Sequence, residues 1–146
     1  MVDGVLDALK FIQDQGYKII VVTNQSGIGR GLYTENQFAQ LNNWMQKIFQ
    51  KNKIDVLDVF YCPHTPEDNC SCRKPKPGLF LLAEKKFQID MSASWSVGDK
   101  ETDITAARSA GIRNTVLVRS GHKINEKDSK AKYILKSLKD ILNLKI

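Results

Sequence analysis

Apolar residues in this chain switch back and forth between a helical repeat and short continuous runs, and this alternation restricts the fold more than any single motif does. Leu6, Leu9 and Ile12 recur at helical spacing behind Asp3, which can cap the helix, and Gly16 ends it. Residues 18–23 then form a largely aliphatic run that reads as a buried strand. After a glycine-rich loop, Thr34 and Gln37 supply the two ends of a capping box. Phe38, Leu41, Met45, Ile48 and Phe49 make the apolar face of the helix that follows. Residues 56–61 are a second strand. Helices are expected at 78–87 and at 101–110, the latter closed by Gly111, with strands at 94–97 and 115–119 on either side of it. A short strand at 133–135 and a helix from Ser137 complete the pattern. Strands alternating with helices predict an α/β fold, a three-layer doubly wound parallel sheet covered on both faces. The pattern opens with a helix, where such folds usually open with a strand.

Sheets of this kind bind ligands beyond the carboxyl ends of their strands. The first three strand ends here are polar: Thr23-Asn24-Gln25-Ser26, Cys62 onward, and Gly98-Asp99-Lys100. That coincidence locates a site. The 146 residues, 42% hydrophobic and 26% charged, suit one soluble domain with a single core. The longest aliphatic run, Ile19 to Val22, is too short to span a bilayer, which takes about 20 apolar residues. Asp3 and Asp7 stand where an export signal carries basic residues, so a cytoplasmic location and no membrane partner are expected. The net charge of +6 raises a nucleic-acid reading, and its location weighs against one. Residues 1–118 carry 14 Lys+Arg against 13 Asp+Glu, whereas 119–146 carry 8 against 3, with Tyr133 as the only aromatic. The excess reads as a solvated basic tail, and no nucleic-acid partner is expected.

Three stretches carry candidate chemistry. Thr23 to Gly31 offers hydroxyls, amides and a flexible backbone whose N–H groups can converge on a phosphate. Its lysine and glycine spacing match neither the P-loop nor the dinucleotide fingerprint; taken alone it reads more often as a plain connection, and its place at a strand end shortly before a helix puts phosphate binding on equal terms. All three cysteines fall within eleven residues, as Cys62-Pro63-His64 and Cys70-Ser71-Cys72. An odd, clustered set is a poor disulfide framework, and four such ligands in one loop suit a tetrahedral Zn²⁺ with no open position, hence a structural one. A zinc on Cys72 would fix the backbone just before Arg73 and Lys74, holding two cations where an anionic substrate could meet them. Asp99 and Asp103 lie four apart at a helix start, which predicts both carboxylates on one side of the first turn, with Lys100 between them. The pair can take Mg²⁺ directly and through water, and it can also be ordinary N-terminal helix chemistry.

Together these residues resemble the haloacid dehalogenase superfamily of phosphatases, and within it the zinc-containing D-glycero-D-manno-heptose 1,7-bisphosphate phosphatases. Val21 to Gly27, Tyr61 to His64, Cys70 to Pro75 and Val97 to Lys100 are similar to that family's motifs, in the family's order. Ala106-Ala107 and Ala110-Gly111 also fit, so the resemblance covers nearly the whole chain. It implies a Mg²⁺-dependent phosphatase that removes the 7-phosphate of the heptose bisphosphate through an aspartyl-phosphate. It maps Thr23 to holding the phosphoryl group, with Asn24, Gln25 and Ser26 beside it, and Lys74 to stabilising that group. Arg73 maps to substrate recognition, Asp99 to the Mg²⁺ ligand, Lys100 and Asp103 to its supporting shell, and Cys62, His64, Cys70 and Cys72 to zinc. The implied partner is a small phosphorylated sugar, and the implied state is a monomer working in lipopolysaccharide-precursor metabolism.

The family's first strand and its Asp-x-Asp motif have no counterpart in the chain. The expectation is therefore a single phosphatase-like domain, residues 1–146, that is N-terminally incomplete and inactive as it stands. The family's topology puts the absent strand between those ending at Thr23 and near Gly98. Two alternatives stay open: a histidinol-phosphate phosphatase, a close relative with a similar zinc loop, and a degenerate zinc protein that binds sugar phosphates without hydrolysing them.

Overall fold

The structure, a computed structural model, describes residues 4–119 and 122–146. Its elements are α1 (Val5–Asp14), β1 (Ile19–Asn24), α2 (Ser26–Gly29), α3 (Glu35–Lys51), β2 (Val56–Cys62), α4 (Gly78–Phe87), β3 (Trp95–Gly98), α5 (Glu101–Ser109), β4 (Asn114–Val118) and β5 (Tyr133–Leu135). Short 3₁₀ helices occur at Pro66–Asp68 and Leu138–Asn143. The chain forms two compact units, the first running to Cys70 and taking in Ile141–Ile146, the second being Ser71–Asp140.

In the first unit β1 and β2 pair in parallel, with Thr23 opposite Tyr61 and Asn24 opposite Cys62. Parallel strands need a long crossover, and α3 lies in it. Its start is held as the sequence predicts: Gln37 N donates to Thr34 Oγ1 at 3.1 Å, and Thr34 N donates to Gln37 Oε1 at 2.9 Å. Ile19, Phe49, Ile54 and Val56 form the core, with Leu6, Leu9 and Ile12 of α1 and Met45 of α3 packed against it. Burying each such side chain contributes about 1.5–3 kcal/mol. Gly16 N and Tyr17 N donate to Gln13 O and Ile12 O, the paired bonds that stop α1. Asp3, read as the cap of this helix, lies outside the described residues.

Two expectations need correction here. Leu41 is 57% exposed, not part of a buried face. The buried stripe of α3 follows Phe38, Met45 and Phe49, and Leu41 stands roughly 60° to one side of it at 3.6 residues per turn. The glycine-rich loop also contains a helical turn, α2, because Ile28 N and Arg30 N find Gln25 O and Ser26 O as acceptors.

In the second unit β3, β4 and β5 form a parallel sheet with β4 in the centre. Val116 and Leu117 of β4 are fully buried. Met91, Ala107, Ala110 and Ile112 make a second core with Phe80 and Ile89, and the small alanines let α5 lie close. Tyr133 stacks on Trp95 with ring centroids 5.6 Å apart. The basic C-terminal stretch is thus not wholly a solvated tail, since β5 is built into the sheet. The helix expected from Ser137 is 3₁₀ rather than α, its bonds closing at three residues, from Asp140 N to Ser137 O and from Leu144 N to Ile141 O.

Each sheet is parallel and flanked by helices, as the alternation predicts. Among the described residues β1 pairs only with β2, and β3 only with β4 on one side. No described helix is long and apolar enough to cross a membrane.

Candidate functional site

The strand β2 runs straight into the loop that carries every cysteine. Cys62 is fully buried at its last position. Beyond His64, the turn at Pro66–Asp68 is held by Asp68 Oδ2, which accepts from Thr65 N at 2.8 Å and from Thr65 Oγ1 at 3.0 Å. The backbone N–H of Thr65, and then its hydroxyl, hold the Asp68 carboxyl below its ordinary value of 3.8. Asn69 follows in the left-handed region, φ 47°, which Asn tolerates better than most residues. The chain therefore doubles back. The donor atoms of Cys62, His64, Cys70 and Cys72 all lie within 4.8 Å of one another. Cys62 Sγ is 3.5 Å from His64 Nδ1 and 3.6 Å from Cys70 Sγ. On a tetrahedral Zn²⁺, two thiolates stand about 3.8 Å apart, and a thiolate and an imidazole nitrogen about 3.6 Å. The donor set fits a closed Cys₃His zinc site.

Past Cys72, the structure joins three of the predicted residues around one carboxylate. Lys74 Nζ is 2.6 Å from Asp103 Oδ1, with both side chains 11% exposed. Asp103 Oδ2 accepts from Lys100 N at 3.1 Å and Asp99 N at 3.2 Å, so this one group caps α5 and pairs with Lys74. Only glycine fits at position 98, where a Cβ would lie 2.7 Å from Asp103 Oδ2. The expectation that Asp99 and Asp103 share one helical face is corrected, because Asp99 precedes the N-cap residue Lys100 and lies outside the helix. Asp103 is turned inward. Asp99 stays 41% exposed, its Oδ2 lying 3.2 Å from His122 Nε2. Mg²⁺ is commonly held by one or two carboxylates, with water and phosphate oxygens completing the octahedron. Asp99 fits the first of these roles.

A cavity of about 360 Å³ opens beside Asp99 and Lys100, with Glu101, His122, Lys123 and Asn125 also in its wall. Sequence reasoning did not single out His122. It lies past the end of β4, and applying the strand-end rule to that fourth strand is the signal that finds it. Next to Lys74 in sequence, Arg73 Nη1 is buried with no hydrogen-bond partner among the described residues. Leaving a buried charged donor unsatisfied is costly, and an anionic oxygen is the acceptor that suits a guanidinium.

In the first unit, Thr23 and Asn24 end β1 and Ser26 opens α2. Gln25 N donates to Cys62 O at 2.7 Å, and Gly29 N to Pro63 O at 2.9 Å, tying this polar loop to the start of the cysteine loop. Gln25 Nε2 donates to Thr23 Oγ1 at 3.0 Å, and Tyr33 OH donates to Gln25 Oε1 at 2.6 Å. Tyr33 is a second residue the sequence reading passed over. Thr23, Asn24, Gln25 and Ser26 are thus assembled in the first unit, and Arg73, Lys74, Asp99, Lys100 and Asp103 in the second.

Comparison with known proteins gives this geometry a context. The HAD-hydrolase-like family model matches residues 71–141. The D-glycero-beta-D-manno-heptose-1,7-bisphosphate 7-phosphatase of Pasteurella multocida is 43% identical, covering 98% of this chain and 82% of the relative. That of Haemophilus ducreyi is 46% identical over 97% of this chain and 82% of its own. Among solved structures, a D,D-heptose 1,7-bisphosphate phosphatase from B. bronchiseptica, complexed with magnesium and phosphate, matches with a TM-score of 0.85 at 27% identity, covering 97% of this chain and 81% of that one. Identity at this level over nearly the whole chain places it by descent: it belongs to the heptose-1,7-bisphosphate 7-phosphatases, phosphoric monoester hydrolases of the HAD superfamily.

Proposed function

We propose that the chain recognises D-glycero-D-manno-heptose 1,7-bisphosphate and serves the removal of its 7-phosphate, as one phosphatase-like domain acting as a cytoplasmic monomer. The observation that carries this reading is the 43–46% identity to the 7-phosphatases of P. multocida and H. ducreyi across nearly the whole chain. The Thr23 hydroxyl and the Lys74 ammonium take phosphoryl oxygens, with Asn24, Gln25 and Ser26 lining the Thr23 side. Arg73, whose Nη1 lacks a partner among the described residues, takes a further anionic oxygen of the substrate. Lys100 adds positive charge beside Asp99.

Asp99 would hold Mg²⁺, which when bound neutralises charge on the phosphoryl group. Asp103 supports that role from behind, fixing the backbone of Asp99 and Lys100 through their N–H groups. The four cysteine-loop donors would hold a structural Zn²⁺ that fixes the backbone entering Arg73 and Lys74. An aspartyl-phosphate route needs a nucleophilic carboxylate and a second one as acid, and no Asp-x-Asp pair occurs in these 146 residues. The 146-residue protein is accordingly expected to bind the bisphosphate without releasing phosphate.

The test is a thermal-shift titration with the heptose bisphosphate, run alongside an assay for free phosphate. Stabilisation that Lys74→Ala and Arg73→Ala each weaken, with no phosphate released, is the expected result. No stabilisation of the unaltered chain overturns the sugar-phosphate reading. Phosphate release by protein of intact mass 16.5 kDa overturns the prediction of inactivity.

A further inference from the structure

We infer that Tyr33 is a positioning residue for Thr23, acting through the Gln25 amide to keep the Thr23 hydroxyl proton available to a phosphoryl oxygen. The inference rests on the proposed role of Thr23 at the phosphoryl group. Its basis is the direction of two hydrogen bonds. The contact between Tyr33 OH and Gln25 Oε1 is 2.6 Å, a length usual for O–H···O and short for N–H···O. The contact between Gln25 Nε2 and Thr23 Oγ1 is 3.0 Å, the ordinary N–H···O length. The two lengths agree on one sense of the amide, with its oxygen toward the phenol and its nitrogen toward the threonine.

That sense decides what Thr23 can do. A threonine hydroxyl has one proton to give and two lone pairs. With Gln25 Nε2 donating to it, Thr23 Oγ1 is an acceptor on that side and its own proton points elsewhere. Among the described residues that proton reaches only the Asn24 carbonyl, at 3.4 Å, well beyond the 2.5–3.0 Å range of an O–H···O bond. A phosphoryl oxygen, which is a pure acceptor, is the partner such a hydroxyl suits. In the opposite amide sense Gln25 Oε1 would face Thr23 and take this proton. The phenol favours the observed sense by giving Oε1 a short O–H donor.

Tyr33 is itself held in place. Its ring lies so close to Gly27 that a Cβ there would clash with the ring, 2.7 Å from Cζ. The next residue, Thr34, is the N-cap of α3, which anchors the other side. Gly27 thus serves as the seat of an aromatic ring.

The test measures binding of inorganic phosphate by NMR titration to the unaltered chain, Tyr33→Phe, Thr23→Val and the double variant. Tyr33→Phe keeps the ring over Gly27 and removes only the hydroxyl, so its Tm should fall by no more than about 2–4 °C, the loss of one hydrogen bond. It should weaken phosphate binding about three- to tenfold, the effect of one hydrogen bond. The double variant should bind no more weakly than Thr23→Val alone, because Tyr33 acts only through Thr23. The Gln25 side-chain NH₂ resonances should also shift in Tyr33→Phe, a signature that generic loosening of the loop would not give without shifts across β1 and α3. Unaltered binding by Tyr33→Phe, where Thr23→Val binds weakly, overturns the role of Tyr33 and leaves that of Thr23 standing. Additive losses in the double variant overturn it too. Equal binding by Thr23→Val and the unaltered chain overturns the role of Thr23 itself, and the inference with it.

Discussion

Asp103 gathers three partners on one carboxylate: Lys74, and the N–H groups of Asp99 and Lys100. Removing it takes the carboxylate away from a largely buried ammonium, and breaking a buried pair on one side costs about 3–5 kcal/mol. Asp103→Ala should therefore show that drop in urea denaturation. Gly98→Ala should lose about 1–3 kcal/mol in the same measurement, because its methyl displaces the carboxylate without removing it. Asp68 makes a different prediction. Its folded pKa lies below the ordinary 3.8 because Thr65 donates to the ionised form, so its contribution is present above pH 3.8 and fades as pH falls through the folded value. Carboxyl NMR should give Asp68 a midpoint under 3.8, and Asp68→Asn should remove the pH dependence of the Pro66–Asp68 turn in that window; a midpoint at or above 3.8 contradicts the hydrogen bonding described. Residue types at short spacing made Asp99, Lys100 and Asp103 candidates in the sequence. His122 was invisible there because 23 positions separate it from Asp99, and only the return of β4 to the strand end beside β3 closes that gap.

The start of α3 and the cysteine loop show how far local pattern reaches. The Thr34–Gln37 capping box was legible because all its partners lie within four residues. Thr34→Ala should cost about 1 kcal/mol of stability, measured by thermal unfolding. The cysteine loop was legible for the same reason, its donors spanning only eleven residues. Metal analysis should find one zinc per chain. Cobalt in its place should give the absorption of a tetrahedral thiolate-rich site, and a chelator or Cys72→Ser should lower the Tm and disorder the backbone through Arg73 and Lys74. Structural zinc sites supply an apparent ~10–16 kcal/mol in zinc-finger peptides, so a chelator without effect on Tm would count against the site. Helical phase was the weaker signal. Leu41 fits an apolar stripe by spacing, yet it lies at the stripe's edge, and which edge residues are buried depends on what the helix packs against.

Across the whole molecule, pairing and burial are uneven. The central strand β4 is paired on both edges and buried from Thr115 to Val118, whereas β1 and β3 are each paired on one edge among the described residues. Hydrogen exchange should be slowest in β4 and faster in β1 and β3, since protection follows burial and pairing. Equal protection in all three would contradict this distribution. The sequence by itself determined the element order, the parallel α/β class, the capping box of α3 and the clustering of one His and three Cys side chains. Each of these is carried by neighbours along the chain, through periodicity or short-range hydrogen bonds. Tertiary structure alone decided that Asp103 turns inward to Lys74, that His122 faces Asp99 and that Tyr33 settles over Gly27. Those outcomes join residues far apart in sequence or depend on which surface is left to pack, and no local pattern encodes either.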